Sequence, residues 1–125
     1  MLADQLDYVL GVDPHRDAHA LAVVDVVSGA VVFEANVAAG SEGYAKALRL
    51  ADEYAPGRRA FAIEGTGSFG AGLTRFLTGR GEQVLEVARL RRERRSGGKS
   101  DALDAIRAAR SVLASEAACD TTRRR

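Results

Sequence analysis

The 125-residue chain, 46% apolar, has room for one domain that buries roughly two-thirds of its unfolded surface. No apolar run approaches the roughly 18 residues of a membrane span, and the N-terminus lacks the basic flank and apolar core of a secretory signal, so neither a membrane-spanning nor a secreted protein is expected. The net charge of +1 divides unevenly: 7 basic and 12 acidic residues over 1–88 give −5, while 11 basic and 5 acidic residues over 89–125 give +6.

In chain order, Tyr8-Val9-Leu10-Gly11-Val12-Asp13 reads as a buried strand over 7–13 that delivers a carboxylate to its end. Pro14 stops it, since proline has no N–H for further pairing. Residues 18–26 form a second strand, and Ser28-Gly29 turns the chain into a third at 30–37, making antiparallel neighbours. Ser41 is expected to cap a helix to about Tyr54, on which Tyr44, Ala47, Leu48, Ala51 and Tyr54 recur at helical spacing. Pro56-Gly57 ends it.

A fourth strand, 59–64, finishes on Glu64 and is followed by Gly65-Thr66-Gly67. A helix near 70–78, halted by Gly79 and Gly81, leads to a fifth strand at 83–87. After the link Ser96-Gly97-Gly98, a last helix runs from Asp101 to about Ala117, and residues 119–125 read as a frayed basic tail beyond a domain over 1–118. The order β-β-β-α-β-α-β-α implies an α/β, ribonuclease H-like fold: a mixed five-stranded sheet, three strands antiparallel and the rest parallel, flanked by helices.

Four acids are expected to converge on one site: Asp13 and Glu64 at strand ends, and Asp101 and Asp104 on one face at the start of the last helix. Two carboxylates about 4 Å apart repel by about 4 kcal/mol at an effective dielectric of 20, and a hard divalent cation relieves such repulsion. Mg²⁺ takes oxygen ligands, commonly one or two carboxylates with substrate phosphate and water, and a pair of ions can serve both the attacking and leaving oxygens of a phosphodiester. Taken singly, Asp13 also suits a turn, and Asp101 with Asp104 a helix cap. His15 and His19 suit either a place lining the same edge or solvated turns, the second being favoured, and Asp17 and Asp25 read as surface acids.

The block Arg89-Leu90-Arg91-Arg92-Glu93-Arg94-Arg95, with Lys99 beyond it, suits either a solvated segment or a polyanion contact. Its position just before Asp101 favours nucleic acid, with binding that falls steeply as salt rises. Aromatic residues are few and tryptophan is absent, so base stacking is not a prominent signal. The lone Cys119 cannot form an internal disulfide, which suits a cytoplasmic setting.

Three blocks, Gly11-Val12-Asp13-Pro14-His15-Arg16, Ile63-Glu64-Gly65-Thr66-Gly67-Ser68-Phe69 and Lys99-Ser100-Asp101-Ala102-Leu103-Asp104-Ala105, resemble the signatures of DEDD-type insertion-sequence transposases. These are bridge-RNA-guided recombinases whose N-terminal domain is similar to the RuvC Holliday-junction resolvase. The resemblance spans about residues 8–115 and places the acidic tetrad on Asp13, Glu64, Asp101 and Asp104. It implies a RuvC-like fold, dependence on Mg²⁺ or Mn²⁺, and DNA strand cleavage and exchange. It also implies a structured guide RNA and assembly into homodimers or higher oligomers. Family members continue into a second domain that supplies a catalytic serine, and this chain stops before it. Full recombination by these 125 residues alone is therefore not expected.

Two other classes compete with this reading. Sugar kinases and actin-like ATPases share the element order, but their first phosphate loop needs glycines and a hydroxyl residue where this chain has Pro14-His15-Arg16-Asp17. A non-catalytic remnant that binds RNA, DNA or a protein partner through the arginine block is the second.

Overall fold

The computed structural model describes residues 5–87, 101–114 and 119–120. Strands β1 (Tyr8–Pro14), β2 (Ala18–Asp25) and β3 (Val31–Ala38) are followed by helix α1 (Ser41–Tyr54). Strand β4 (Arg59–Glu64), helix α2 (Ala71–Gly79), strand β5 (Val84–Val87), helix α3 (Asp101–Ala114) and strand β6 (Cys119–Asp120) complete the order. One mixed sheet results, in the order β3-β2-β1-β4-β5-β6. β1–β2 and β2–β3 pair antiparallel, while β1–β4 and β4–β5 pair parallel. This is the expected five-stranded arrangement, lengthened at one edge by a two-residue strand.

Position in the sheet explains the strand sequences. β1 lies between two neighbours with helices over both faces, and so reads as an unbroken apolar run. β3 is at the edge and alternates between partly covered and exposed residues. On one face, Leu10, Val12, Leu21, Val23, Phe61 and Ile63 pack with Ala47 and Ala51 of α1 and Leu73 and Leu77 of α2. On the other, Val9, Val24, Ala60, Ala62 and Leu85 pack with Ala109 and Val112 of α3. The buried apolar positions of α3, Ala105, Ala108, Ala109 and Val112, follow helical spacing and are mostly small. That smallness lets the helix approach closely: a Cβ on Gly11 of β1 would collide with the Ala105 carbonyl and lie 2.8 Å from the Ala109 nitrogen.

Three local expectations are corrected. Ser41 is the first helical residue rather than the cap; Gly40 precedes the helix, no side chain caps it, and the Tyr44 N–H donates to the Gly40 carbonyl. The tail expected to fray from 119 instead begins as β6, with Glu86 opposite Cys119 and Leu85 opposite Asp120, because β5 offers an open edge of backbone donors and acceptors. Asp25 is more than a surface acid: its Oδ1 accepts from the Val27 and Ser28 N–H groups and shapes the β2–β3 turn, where Gly29 adopts φ 77°. Among the described residues, no helix is long and apolar enough to cross a membrane.

Candidate active site

The parallel pairing of β1 with β4 runs in register to Val12 opposite Ile63, so the next residues, Asp13 and Glu64, stand side by side where the strands end. Strand spacing sets these backbones about 4.8 Å apart. Side chains alternate along a strand, so Asp13 follows Val9 and Gly11, and Glu64 follows Ala60 and Ala62, onto the face covered by α3. Here the connections leave in opposite directions: β1 proceeds to β2 on one side, β4 to β5 on the other. The carboxyl ends of strands at such a reversal form a crevice where α/β folds bind ligands.

Asp104 enters from α3, one residue before Ala105, the residue packed on Gly11. All three acids are buried, with Asp13 3% exposed, Glu64 6% and Asp104 7%. Burial pushes the Asp13 carboxyl above its ordinary value; His15 opposes this by charge and hydrogen bond, while the charges of Asp104 and Glu64 raise it further. Three of the four expected acids therefore share one electrostatic neighbourhood. Asp101 is the first residue of α3, three positions before Asp104. Arg89, Arg91, Arg92, Arg94, Arg95 and Lys99 lie outside the described residues.

The donor type suits a hard divalent cation: buried carboxylates in largely apolar surroundings, with His15 beside Asp13 and Arg107 beside Asp104. Among the described residues, no group of three or more His, Cys, Asp or Glu side chains is placed to hold a metal ion. Arg107, one turn along α3, is the cation near Asp104, with Nη1 at 4.0 Å from Oδ1.

The sequence reading was wrong about His19. His19 is not a solvated turn residue but a buried member of β2, 1% exposed, facing the α1 side with Leu21 and Val23 and stacked at 6.0 Å on Tyr44. Burial drives its pKa down, the largest of the causes. Nδ1 accepts from the His15 backbone N–H at 3.3 Å, which places the remaining proton on Nε2. That Nε2 has no hydrogen-bond partner among the described residues. His15, whose side chain is 44% exposed, sets Nε2 at 3.0 Å from Asp13 Oδ2. The alternation of His19, Leu21 and Val23 along one strand face was the signal available for finding it.

This geometry defines a RuvC-like domain with an acidic edge. RuvC of T. thermophilus, solved in complex with a Holliday junction substrate, is similar with a TM-score of 0.61 and 14% sequence identity, over 90% of this chain and 98% of that one. That likeness establishes the fold. The model of the IS110-type DEDD transposase family, described as "Transposase", matches residues 10–124, and the chain belongs to that family. No curated protein matches it in sequence.

Proposed function

We propose that this chain is the catalytic-acid domain of a DNA transposase or recombinase, in which Asp13, Glu64, Asp101 and Asp104 hold divalent cations, Mg²⁺ or Mn²⁺, for phosphodiester cleavage and exchange. The observation that carries this reading is the burial of Asp13, Glu64 and Asp104 together at the ends of two parallel strands and a helix. Gathering buried carboxylates is costly because their charges repel, and a metal or substrate site is where such an arrangement is maintained.

When bound, such ions supply positive charge at the attacking and leaving oxygens of the displacement. The chain's own contribution is placement. β1 and β4 fix two carboxylates side by side, α3 brings a third, and the surrounding alanines and valines keep bulk water from their inner face. No residue of this chain is assigned the nucleophile, which in this reading comes from DNA, water or the serine-bearing second domain implied by the family resemblance.

The reading extends to partners. DNA is the substrate, and a structured guide RNA is held with it by Arg89, Arg91, Arg92, Arg94, Arg95 and Lys99, whose charge contrasts with the net −5 of residues 1–88. Exchange between two DNA sites also calls for a homodimer or higher homo-oligomer in the cytoplasm, because paired sites are served by paired active centres.

The test is strand exchange by a complete transposase containing this chain. Asp13→Asn and Asp104→Asn are expected to lower exchange at least 10³-fold, on the order of the loss seen when a group essential to a catalytic unit is removed, while the folded state persists. Exchange at the parental rate by both variants would overturn the assignment.

A further inference from the structure

We infer that His15 is a positioning residue for the acidic site, donating from Nε2–H to Asp13 Oδ2 and so fixing the carboxylate that the proposed cation uses. This rests on the proposed cation site. As a cation ligand Asp13 is ionised and can only accept, so in that state the 3.0 Å contact is a donation from the imidazole. It occupies one oxygen of Asp13 and leaves Oδ1 with both its acceptor positions. Carboxylates that ligate metals are commonly oriented in this way by a hydrogen-bond donor behind them.

The placement of His15 is itself determined by the fold. Pro14 pairs with His19 across the β1–β2 hairpin, so His15 begins the turn directly beyond the strand end. Its backbone N–H is shared between the Ala18 carbonyl at 3.0 Å and His19 Nδ1 at 3.3 Å. His19 is in turn immobilised by burial and by Tyr44 of α1, whose ring lies 7° from parallel. A continuous path therefore joins the helix on one face of the sheet to the carboxylate on the other: Tyr44, His19, the His15 backbone, the His15 imidazole, Asp13. This gives the buried His19 a role, to fix the turn that aims His15. The inference concerns donation by an N–H, which a neutral side chain performs equally well.

Mn²⁺ affinity, measured by electron paramagnetic resonance of the free ion, separates the possibilities. Asp13→Asn establishes whether the site itself is real. His15→Phe keeps a planar ring at a half-exposed position and removes the donor; His15→Gln restores an N–H donor at about the distance of Nε2. We expect Asp13→Asn to abolish the site, His15→Phe to weaken Mn²⁺ roughly 10- to 100-fold, and His15→Gln to recover most of that loss. Unchanged or tighter binding by His15→Phe would overturn the inference while leaving the site intact, since His15 would then be a bystander or a competitor. Equal weakening by Gln and Phe would also overturn it, because the loss would come from packing rather than donation. Parental binding by Asp13→Asn, or none by the parent chain, would remove the cation site and this inference with it.

Discussion

Asp13 sits in surroundings that favour its neutral form, burial being the largest cause and the charges of Asp104 and Glu64 adding to it, with His15 opposing. Its folded pKa therefore lies above the 3.8 of the free side chain. The native state holds this proton more tightly than the unfolded chain, so the stability associated with Asp13 is greatest below pH 3.8 and falls as pH rises through the folded pKa. In a chelator, Asp13→Asn is expected to be more stable than the parent at pH 7, with the gap narrowing as the pH is lowered toward 4. Denaturant unfolding at the two pH values checks this, and a variant less stable than the parent at pH 7 would contradict it. Adding Mn²⁺ should shrink the gap, since a ligand of the native state stabilises only the protein that binds it. At this scale the sequence was informative for the position of Asp13 and Glu64 at strand ends, because each follows an apolar run, although Asp13 alone suited a turn equally well. It misled for His19, whose nearness to Pro14-His15-Arg16-Asp17 suggested a turn although its alternation with Leu21 and Val23 belongs to a strand.

Among the elements, α3 depends most on close approach. Its alanines rest on Gly11, and the contacts a Cβ there would meet are the Ala105 carbonyl and the Ala109 nitrogen, backbone atoms that yield only if the helix moves. Gly11→Ala is expected to destabilise the fold by about 1–3 kcal/mol, the usual effect of overpacking, and to shift Asp104 away from Asp13. Gly67→Ala is the matched control: a Cβ there meets nothing within 4 Å, and a change within about 0.5 kcal/mol is expected. Chemical denaturation midpoints distinguish the two, and an unperturbed midpoint for Gly11→Ala would refute the tight α3–β1 contact. Element types were legible because periodicity separates β1, with its continuous apolar run, from α1, with Tyr44, Ala47, Leu48, Ala51 and Tyr54 on one side. Strand β6 was not legible, since two residues carry no period and their pairing depends on the open edge of β5. The Gly11–α3 approach was equally hidden: a glycine inside a strand says that something comes near, not which helix.

Across the whole molecule, the site gathers residues 13, 64 and 104 from three distant parts of the chain. Parallel pairing of β1 with β4 does most of this, reaching over the β2–β3 hairpin and α1 to set Asp13 beside Glu64. The element order foretold that arrangement, because a strand returning after a helix returns parallel. The exact placement of Asp104 was not foreseeable, as it depends on how deeply α3 seats against the alanines and Gly11 of the sheet. The charge division, −5 over residues 1–88 and +6 over 89–125, sets a basic segment of a kind suited to phosphate after the acidic part of the chain.

The proposed function requires that the buried acids form one cation site. Its most direct measurement is diffraction from crystals of this chain soaked in Mn²⁺, recorded near the manganese absorption edge. An anomalous peak is expected between the ends of β1 and β4 and the first turn of α3, in contact with the carboxylates of Asp13 and Asp104 or Glu64, and absent from Asp13→Asn crystals. A well-ordered acidic edge with no peak at saturating Mn²⁺, or a peak that persists in Asp13→Asn, would contradict it.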